Sequence, residues 1–411
     1  MIANPFRKLL LPLAVASTLG IATSAGAAVF VQCPGDTNGD AKWTLTELKP
    51  PNTACMHLTA GDGFITMADG RSLYIFGFDD VTGQLPSTIG LDVLPAKFAA
   101  PTITLKQNEN FYLTLTNVGM AIRPDLFDPH TVHFHGFPEQ PPVFDGMPEG
   151  SFGVNMGSSV TYYYKLNDPG TYMYHCHMEA TEHMQMGMLG NLYVTPAQDG
   201  SSHFYDGKTY TQFVFNDAAA PAGGGAGSTG YDVAYPLQFG SMDHNFHDAS
   251  EGVQPLPFAD MRDTYAMING RGYPDTVNPN PLDPPAAKVD YLAPAVASSS
   301  QEVSSLITAT HGDRILLRLS NLNVTNYYTV TAQGLPMKVV GAGARQLKGP
   351  DGTLLYYDTS SVTLGGGESV EVMIDTRQVS PGTYFLYTTN LNFLSNFEQD
   401  NGGMMTEIVI N

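Results

Sequence analysis

The sequence is poor in cysteine, in charged residues and in basic residues, and each shortage excludes a class of protein. Three cysteines in 411 residues are too few for a disulfide-rich scaffold. Charged residues make up 14% of the chain, and 39 acidic residues outnumber 19 basic ones, which gives a net charge of −20. A protein that binds phosphate backbones needs a basic face, so we expect no nucleic-acid partner. An acidic surface suits metal cations or a basic redox partner, and solubility alone would also explain it.

Long apolar runs are scarce as well, and the one candidate lies near the N-terminus. Arg7 and Lys8 precede the run LLLPLAVASTLGIA, and small residues suited to cleavage follow at Ala25–Ala27. This pattern predicts a signal peptide at residues 1–27 and export, most simply to a bacterial periplasm. An uncleaved anchor is the alternative, although the run is short for a membrane span.

Glycine and proline are abundant, with 42 and 29 residues, and tyrosine, phenylalanine, valine and threonine accompany them. Short runs of strand-forming residues between turn residues predict an all-β protein. We predict two β-sandwich domains, at 61–197 and 198–411, the second with long Gly- and Pro-rich loops. GTYMYHCH in the first domain aligns with GTYFLYTTN in the second, and each domain has an earlier strand of the type L-x-L-x-N. We interpret this repeated order of similar strands as an internal duplication.

Residues 28–60 form a predicted N-terminal extension. Cys33 and Cys55 can form a disulfide there, which leaves Cys176 unpaired. A twelve-residue loop in the extension has the spacing of a calcium loop, with candidate ligands Asp36, Asn38, Asp40 and Glu47. Ala41 stands where such loops normally have glycine, and an Asx-rich turn without calcium is the alternative.

Histidine is concentrated in one stretch of about sixty residues, which holds six of the chain's eleven histidines. The segment PHTVHFHGF contains the pattern H-x-x-H-x-H-G. The segment GTYMYHCHMEATEHMQMGM contains H-C-H, then a histidine, then a methionine. This concentration around an unpaired cysteine indicates copper redox chemistry. The alternative, that these histidines are ordinary buried polar residues, fits one histidine better than six.

A type 1 copper site takes two imidazoles, one thiolate and a weak axial thioether. In cupredoxin sandwiches one histidine comes from an early strand, and the other three ligands come from one late strand–loop–strand segment. The predicted type 1 ligands are His130, Cys176, His183 and Met188. Copper binding also explains the unpaired thiol. Three further methionines, Met178, Met184 and Met186, are interpreted as packing residues, with a soft entry path for copper as the alternative.

Strand alternation assigns the remaining histidines of this stretch. His133 and His135 share one face of a strand, and His175 and His177 flank Cys176 and point away from the type 1 ligands. This arrangement suits electron transfer from Cys176 through its neighbours to a second copper site.

These motifs resemble the multicopper oxidase superfamily over about residues 60 to 411. The histidine and His-Cys-His elements are similar to the carboxy-terminal copper motifs of laccases, and DGMPEG and MINGRGYPDT also fit the family. Here the type 1 motif lies in the first domain, as in copper nitrite reductases and one class of two-domain multicopper oxidases. The resemblance implies a cupredoxin-like Greek-key fold for both domains. It also implies that His133, His135, His175 and His177 are four of the eight histidines that hold a trinuclear copper cluster.

The sequence departs from this family in its second domain, where threonines occupy the stretches that should carry ligands: Thr329, Thr331, Thr388 and Thr389. The nitrite reductase pattern fits no better, because His133 stands at that family's catalytic Asp and His177 has no counterpart there. A partner chain could complete the cluster, His244 and His247 could serve, or the cluster could be incomplete. We expect structural roles for His57, His203 and His311.

The sequence therefore predicts a periplasmic, multicopper-oxidase-like copper oxidoreductase. Single electrons would enter from a small donor or redox protein near His183, expected to be the exposed edge, and oxygen is the expected acceptor. Phenols, Mn(II), Fe(II), Cu(I) and a protein all remain possible donors. A blue-copper electron carrier and a copper-sequestering protein are the rival readings. A copper site shared between subunits would favour a homotrimer or a hetero-oligomer.

Overall fold

The computed structural model describes residues 29–89, 94–217, 228–289 and 299–411, so the predicted signal peptide lies outside the described residues. The strands of the first half are β1 Thr53–Thr66, β2 Ser72–Asp80, β3 Ala100–Lys106, β4 Asn110–Gly119, β5 His133–His135, β6 Ser159–Lys165, β7 Gly170–His175, β8 Leu189–Thr195, β9 His203–Tyr205, β10 Lys208–Tyr210, β11 Gln212–Phe213 and β12 Gly230–Tyr231. Those of the second half are β13 Val233–Met242, β14 Tyr265–Ile268, β15 Ile307–Ala309, β16 Arg314–Asn321, β17 Tyr328–Ala332, β18 Met337–Ala342, β19 Arg345–Gln346, β20 Tyr357–Thr359, β21 Val362–Leu364, β22 Glu368–Asp375, β23 Gly382–Thr388 and β24 Met405–Ile410. The α-helices are α1 Ala180–Gln185, α2 His244–Glu251 and α3 Ala286–Val289, and short 3₁₀ helices lie at Pro142–Phe144, Phe258–Asp260, Asp275–Val277, Thr376–Gln378 and Leu391–Phe393.

The first domain is a sandwich of two four-stranded sheets, ordered β2-β1-β4-β6 and β3-β8-β7-β5. Alternate residues of each strand face the core between the sheets, where aromatic rings dominate. Phe134 of β5 stacks on Tyr164 of β6 at a centroid distance of 4.0 Å. Because Phe134 points into the core, His133 and His135 on either side of it point to the opposite face of the sheet.

The second domain repeats this arrangement, as the predicted duplication requires. Its sheets are ordered β14-β13-β16-β22-β18-β19, with β20 beside β18, and β15-β24-β23-β17-β21. Thus β17 beside β23 corresponds to β5 beside β7. In the alignment of GTYMYHCH with GTYFLYTTN, Thr331 pairs with Tyr387 where His133 pairs with His175 in the first domain. The duplicated strands have kept their topology, and threonine stands at a position that carries a histidine in the first copy.

The sequence did not indicate β13, because Pro236 interrupts its hydrophobic run. β13 pairs in parallel with β16 from Val233 to Phe239, whereas β14 covers only Phe239 to Met242. At Pro236 one side of the strand therefore has no paired neighbour. Proline, which has no backbone N–H to donate, is tolerated at such a position.

The two domains share an apolar interface as well as having their own cores. This interface cluster includes Ile75, Phe98 and Leu189 from the first domain, and Met242 and Met267 from the second. It holds the end of the first domain that carries the histidine-rich segment against the second domain.

The N-terminal extension is tied to the first domain by the predicted disulfide between Cys33 and Cys55. Cys55 lies within β1, whose residues from Thr53 onward already pair with β4. The predicted domain boundary at residue 61 therefore falls inside a strand of the first sheet. None of the helices in the described parts of the chain has the length and apolar character needed to span a bilayer.

Candidate metal centres

The four predicted type 1 ligands lie together at one end of the first sandwich, and all four are fully buried. His130 precedes β5 and is fixed by a two-way backbone bridge to Val154. Cys176 directly follows β7, and His183 lies in α1. Met188 stands just before β8, where its N–H donates to the carbonyl of His183 and its own carbonyl accepts from the N–H of Cys176. The β7–α1–β8 segment thus closes on itself and brings three of these residues together.

The two imidazoles face the thiol. The Nδ1 atoms of His183 and His130 lie 3.2 and 3.9 Å from Cys176 Sγ. The backbone N–H of Thr131 also points at this sulfur, at 3.4 Å. The Nε2 atoms of both histidines are buried without a hydrogen-bond partner. This buried set of soft donors fits copper.

The electrostatics of this group match a cation site. Burial lowers the pKa of His130 well below its usual value, and the neighbouring His183 adds to this effect. Burial would also lower the pKa of His183, but the Cys176 thiolate and Asp128 outweigh it and raise the pKa to about 10. A metal bound between these groups would have to displace the proton that this environment favours on His183.

Sequence reasoning was wrong about the exposure of His183, which has no solvent-accessible surface. The ring of Phe76 packs edge-on against it with centroids 5.7 Å apart. Asp128 lies 3.8 Å from its Nε2, too far for a hydrogen bond, and is itself only 17% exposed. Phe76 comes from β2, far from the copper motifs in sequence, whereas Asp128 lies two residues before His130. The motifs alone therefore did not indicate that His183 is covered.

The second group consists of the four histidines on the opposite face, and the structure places their rings side by side. His133 is central, with ring centroids 5.2 Å from His175, 5.1 Å from His177 and 6.0 Å from His135. Ligating nitrogens of His133, His135 and His175 lie within 4.8 Å of one another. Within the described parts of the chain, this trio and the His130–Cys176–His183 group are the sites where three or more potential ligands converge.

Hydrogen bonds orient two of these rings. His133 Nδ1 donates to the carbonyl oxygen of Asp145 at 2.6 Å, and His175 Nδ1 donates to the carbonyl of Cys176 at 2.9 Å. Both bonds leave Nε2 free as a ligand. Asp145 thus belongs to the site, and DGMPEG was the only sign of it in the sequence.

Burial favours the neutral form of three rings in this cluster. It lowers the pKa of His133 and His135, and it lowers the pKa of His175 to about 3. Neutral imidazole is the form that binds metal, so three of the rings are ready to do so at neutral pH.

The four histidines open into a cavity of about 430 Å³, and the second domain of the same chain forms its other wall. That wall consists of residues 322–327 with Gly366 and Gly367. Gly367 has φ +86°, and a β-carbon there would lie 2.5 Å from His135 Nε2, so the close approach requires glycine. Among the described lining residues the only histidines are the four of the first domain. Sequence reasoning missed this wall, because it looked for ligands in β17 and β23.

The other histidines have structural partners. His57 is buried with Nε2 2.7 Å from Thr116 Oγ1, His311 Nδ1 donates to the carbonyl of Val379, and His203 lies near Ser201 Oγ. His244, proposed as a possible cluster ligand, contacts Thr264 instead. His247, the other candidate, is buried between the carbonyls of Tyr74 and Gln185. Neither joins the cavity.

The methionines near the site divide between packing and lining. Met186 is fully buried in the core of the first domain, and Met178 packs against that core. Met184 packs against the domain interface and also lines the four-histidine cavity. Packing is thus observed for all three, and a copper entry path remains a prediction.

The predicted calcium loop is closed by its own hydrogen bonds. Asp36 accepts from the backbone N–H groups of Asn38, Gly39 and Ala41, and the carboxylate of Glu47 accepts from Thr37 and Thr44. The bonds from Thr37 and Thr44 lower the pKa of Glu47 to about 2. This pattern is the Asx-rich turn of the alternative reading, and calcium binding remains a prediction.

Two cupredoxin-like sandwiches with a buried His–Cys–His group define a copper-binding class of protein. Two sequence families, both described as multicopper oxidase, match residues 80–198 and 243–409. The chain belongs to the multicopper oxidase superfamily.

Individual relatives agree with this assignment. Copper resistance protein A of Pseudomonas syringae pv. tomato is 26% identical over 228 residues, which is 55% of this chain and 35% of that protein. The chain thus spans about a third of that relative's length. The blue copper oxidase of Nitrosomonas europaea superposes with a TM-score of 0.60 at 20% identity, covering 87% of this chain and 86% of the other. The copper nitrite reductase of N. europaea gives 0.57 at 15% identity, covering 87% and 94%. At these identities the structural likeness shows the fold.

Proposed function

We propose that the chain is an exported, multicopper-oxidase-like oxidoreductase that takes single electrons at the His130–Cys176–His183–Met188 group and delivers them to oxygen at the four-histidine cluster. One observation carries this proposal. Cys176 lies in one buried donor group, and its immediate neighbours His175 and His177 lie in the other. Copper bound at the two groups would supply one-electron redox chemistry.

The chain's own residues support this transfer. The peptide bonds on either side of Cys176 link its sulfur covalently to both imidazoles. The hydrogen bond from His175 Nδ1 to the carbonyl of Cys176 adds a second contact along the same path. Burial of the ligands excludes water from the sulfur, and the cavity beside the four histidines leaves room for a small acceptor.

The location rests on two features. The N-terminal pattern is that of a signal peptide, and the Cys33–Cys55 disulfide suits an oxidising compartment. We therefore propose export to the periplasm.

Oxygen uptake by the copper-loaded chain tests the proposal, with a phenol as one-electron donor. We expect oxygen consumption together with a blue absorption band that bleaches on anaerobic reduction and returns with oxygen. Replacing His133 and His135 with alanine should abolish oxygen uptake and leave the blue band, whereas Cys176→Ser should abolish both. Undiminished oxygen uptake in the His133/His135 variant would show that the cluster is not where oxygen reacts.

A blue-copper electron carrier is the second candidate, and one observation favours it. The described wall of the cavity opposite the histidines carries asparagine, threonine, tyrosine and glycine rather than ligands. A carrier would cycle its blue band reversibly with a redox partner and consume no oxygen.

A sequestering role is the third candidate. It is favoured by the similarity to a protein named for copper resistance, and it predicts copper binding without redox cycling.

A further inference from the structure

The second domain holds the loop that carries His183, although it contributes no ligand among its described residues. Gln185, two residues beyond His183, is buried. Its side-chain Nε2 donates to Oδ1 of Asp263 at 3.1 Å. Its backbone carbonyl lies 3.0 Å from His247 Nε2. Both Asp263 and His247 belong to the second domain, so this loop is fixed from across the interface.

The other oxygen of the same carboxylate binds residues that line the four-histidine cavity. Asp263 Oδ2 accepts from Asn326 Nδ2 at 2.9 Å, from Asn323 Nδ2 at 3.2 Å and from the hydroxyl of Thr325. These three residues line the cavity. Ser241 of β13 donates to this oxygen as well, at 2.5 Å. One carboxylate therefore holds both the type 1 ligand loop and the wall of the second candidate centre.

Helix α1 lies between the two centres and makes this link direct. Ala180 and Met184, four residues apart, line the four-histidine cavity, while His183 of the same helix faces Cys176. A shift of α1 would move both sites together, and Gln185 at its end is the point that Asp263 fixes.

We propose that Asp263 is a positioning residue that couples the geometry of the two candidate copper centres. Its carboxylate accepts hydrogen bonds and donates none, and five donor groups lie within hydrogen-bond distance of its two oxygens. This inference rests on the proposed function, because the two centres must both bind copper for the coupling to affect electron transfer.

Two variants at position 263 distinguish the contact with Gln185 from the contacts with the cavity wall. Asp263→Asn keeps one oxygen, which should stay on the side of the cavity wall, where most of the donors lie. Its NH₂ group would then face Gln185 Nε2, donor against donor, and release the ligand loop. Asp263→Ala removes both ends. Gln185→Met breaks only the loop contact and tests the same end without altering Asp263.

A matched control is Asp248→Asn. Asp248 pairs with Arg71 across the same domain interface but touches neither segment.

Hydrogen–deuterium exchange of the metal-free variants is the first measurement. We expect exchange about tenfold faster in residues 180–188 for Asp263→Asn and Gln185→Met, since a lost hydrogen bond to a charged group has an effect of that order. Asp263→Ala should also accelerate exchange in residues 322–327, and Asp248→Asn should alter neither segment. The coupling is refuted if Asp263→Ala leaves either segment unchanged, or if Asp248→Asn reproduces its effect.

The reduction potential and EPR spectrum of the copper-loaded variants are the second measurement. Both should change in Asp263→Asn and Gln185→Met and stay at wild-type values in Asp248→Asn. An unchanged potential in both loop variants would reduce Asp263 to a purely structural residue. If the wild-type chain bound no type 1 copper, the proposed function would fail, while the metal-free exchange data would still decide whether Asp263 couples the two segments.

Discussion

Replacing Lys97 with methionine should destabilise the protein, mainly by leaving a buried carboxylate of the first domain without its counter-ion. Lys97 Nζ lies 2.7 Å from Asp79 Oδ1 within the first domain and 2.5 Å from Glu302 Oε1 of the second. The side chains of Lys97 and Asp79 are only 13% and 10% exposed, whereas Glu302 is 38% exposed. Burial raises the pKa of Asp79, and Lys97 opposes this rise, so the carboxylate depends on the ammonium to stay charged.

The size of the stability loss follows from how deeply each of the two ion pairs of Lys97 is buried. Removing one partner of a buried ion pair costs about 3–5 kcal/mol, because the remaining charge is left without compensation. The more exposed ion pair with Glu302 adds about 0–1 kcal/mol. We therefore expect Lys97→Met to lower the free energy of unfolding by roughly 3 kcal/mol, mainly through Asp79.

Urea unfolding of the metal-free protein at neutral pH measures this loss. The double variant Lys97→Met/Asp79→Leu should recover most of it, because no buried charge then remains unpaired. Arg71→Met, which removes the exposed pair with Asp248, should cost less than about 1 kcal/mol. A Lys97→Met loss no larger than that of Arg71→Met would refute the reasoning.

Three further predictions concern the disulfide, a buried histidine and the axial ligand. Cys33→Ser should lower the free energy of unfolding by about 3 kcal/mol, as expected for a closed loop with a sequence separation of 22. Wild-type protein under reductant should melt like the variant, and no shift in either would contradict this. Burial lowers the pKa of His57 from 6.5 to about 4, so the unfolded state takes up the proton first and stability falls as the pH drops through this window. The full loss of unfolding free energy is about 3 kcal/mol. His57→Gln should lose less stability than the wild type as the pH falls from 6.5 to 4, and an equal loss in both proteins would contradict this prediction. Met188→Leu should raise the reduction potential of the type 1 copper without changing the copper content, because axial thioether donation is lost; a lowered potential in voltammetry would argue against the axial role.

The residues of the two candidate centres were predictable because their geometry is local. Alternation along β5 places His133 and His135 on one face as soon as Phe134 is assigned to the core. In the same way, Cys176 must point away from His175 and His177. Ligand spacing within a single strand–loop–strand segment required no knowledge of distant contacts.

The surroundings of those centres were not predictable, because they come from distant segments. Phe76 of β2 packs against His183 from a segment far from either copper motif. The position of residues 322–327 opposite the histidines depends on how the two domains pack together. The hydrogen bond between Asp263 and Gln185 depends on the same packing. No periodicity marks residues whose role is set by that docking.

Quantitative EPR on the copper-loaded wild-type chain tests the central claim most directly, namely that one chain carries two linked copper centres. The account predicts a type 1 signal from the Cys176 group together with additional copper, and loss of only the additional copper when His133 and His135 are replaced. One copper per chain with a type 1 signal alone, unchanged by those replacements, would contradict the account and identify an electron carrier.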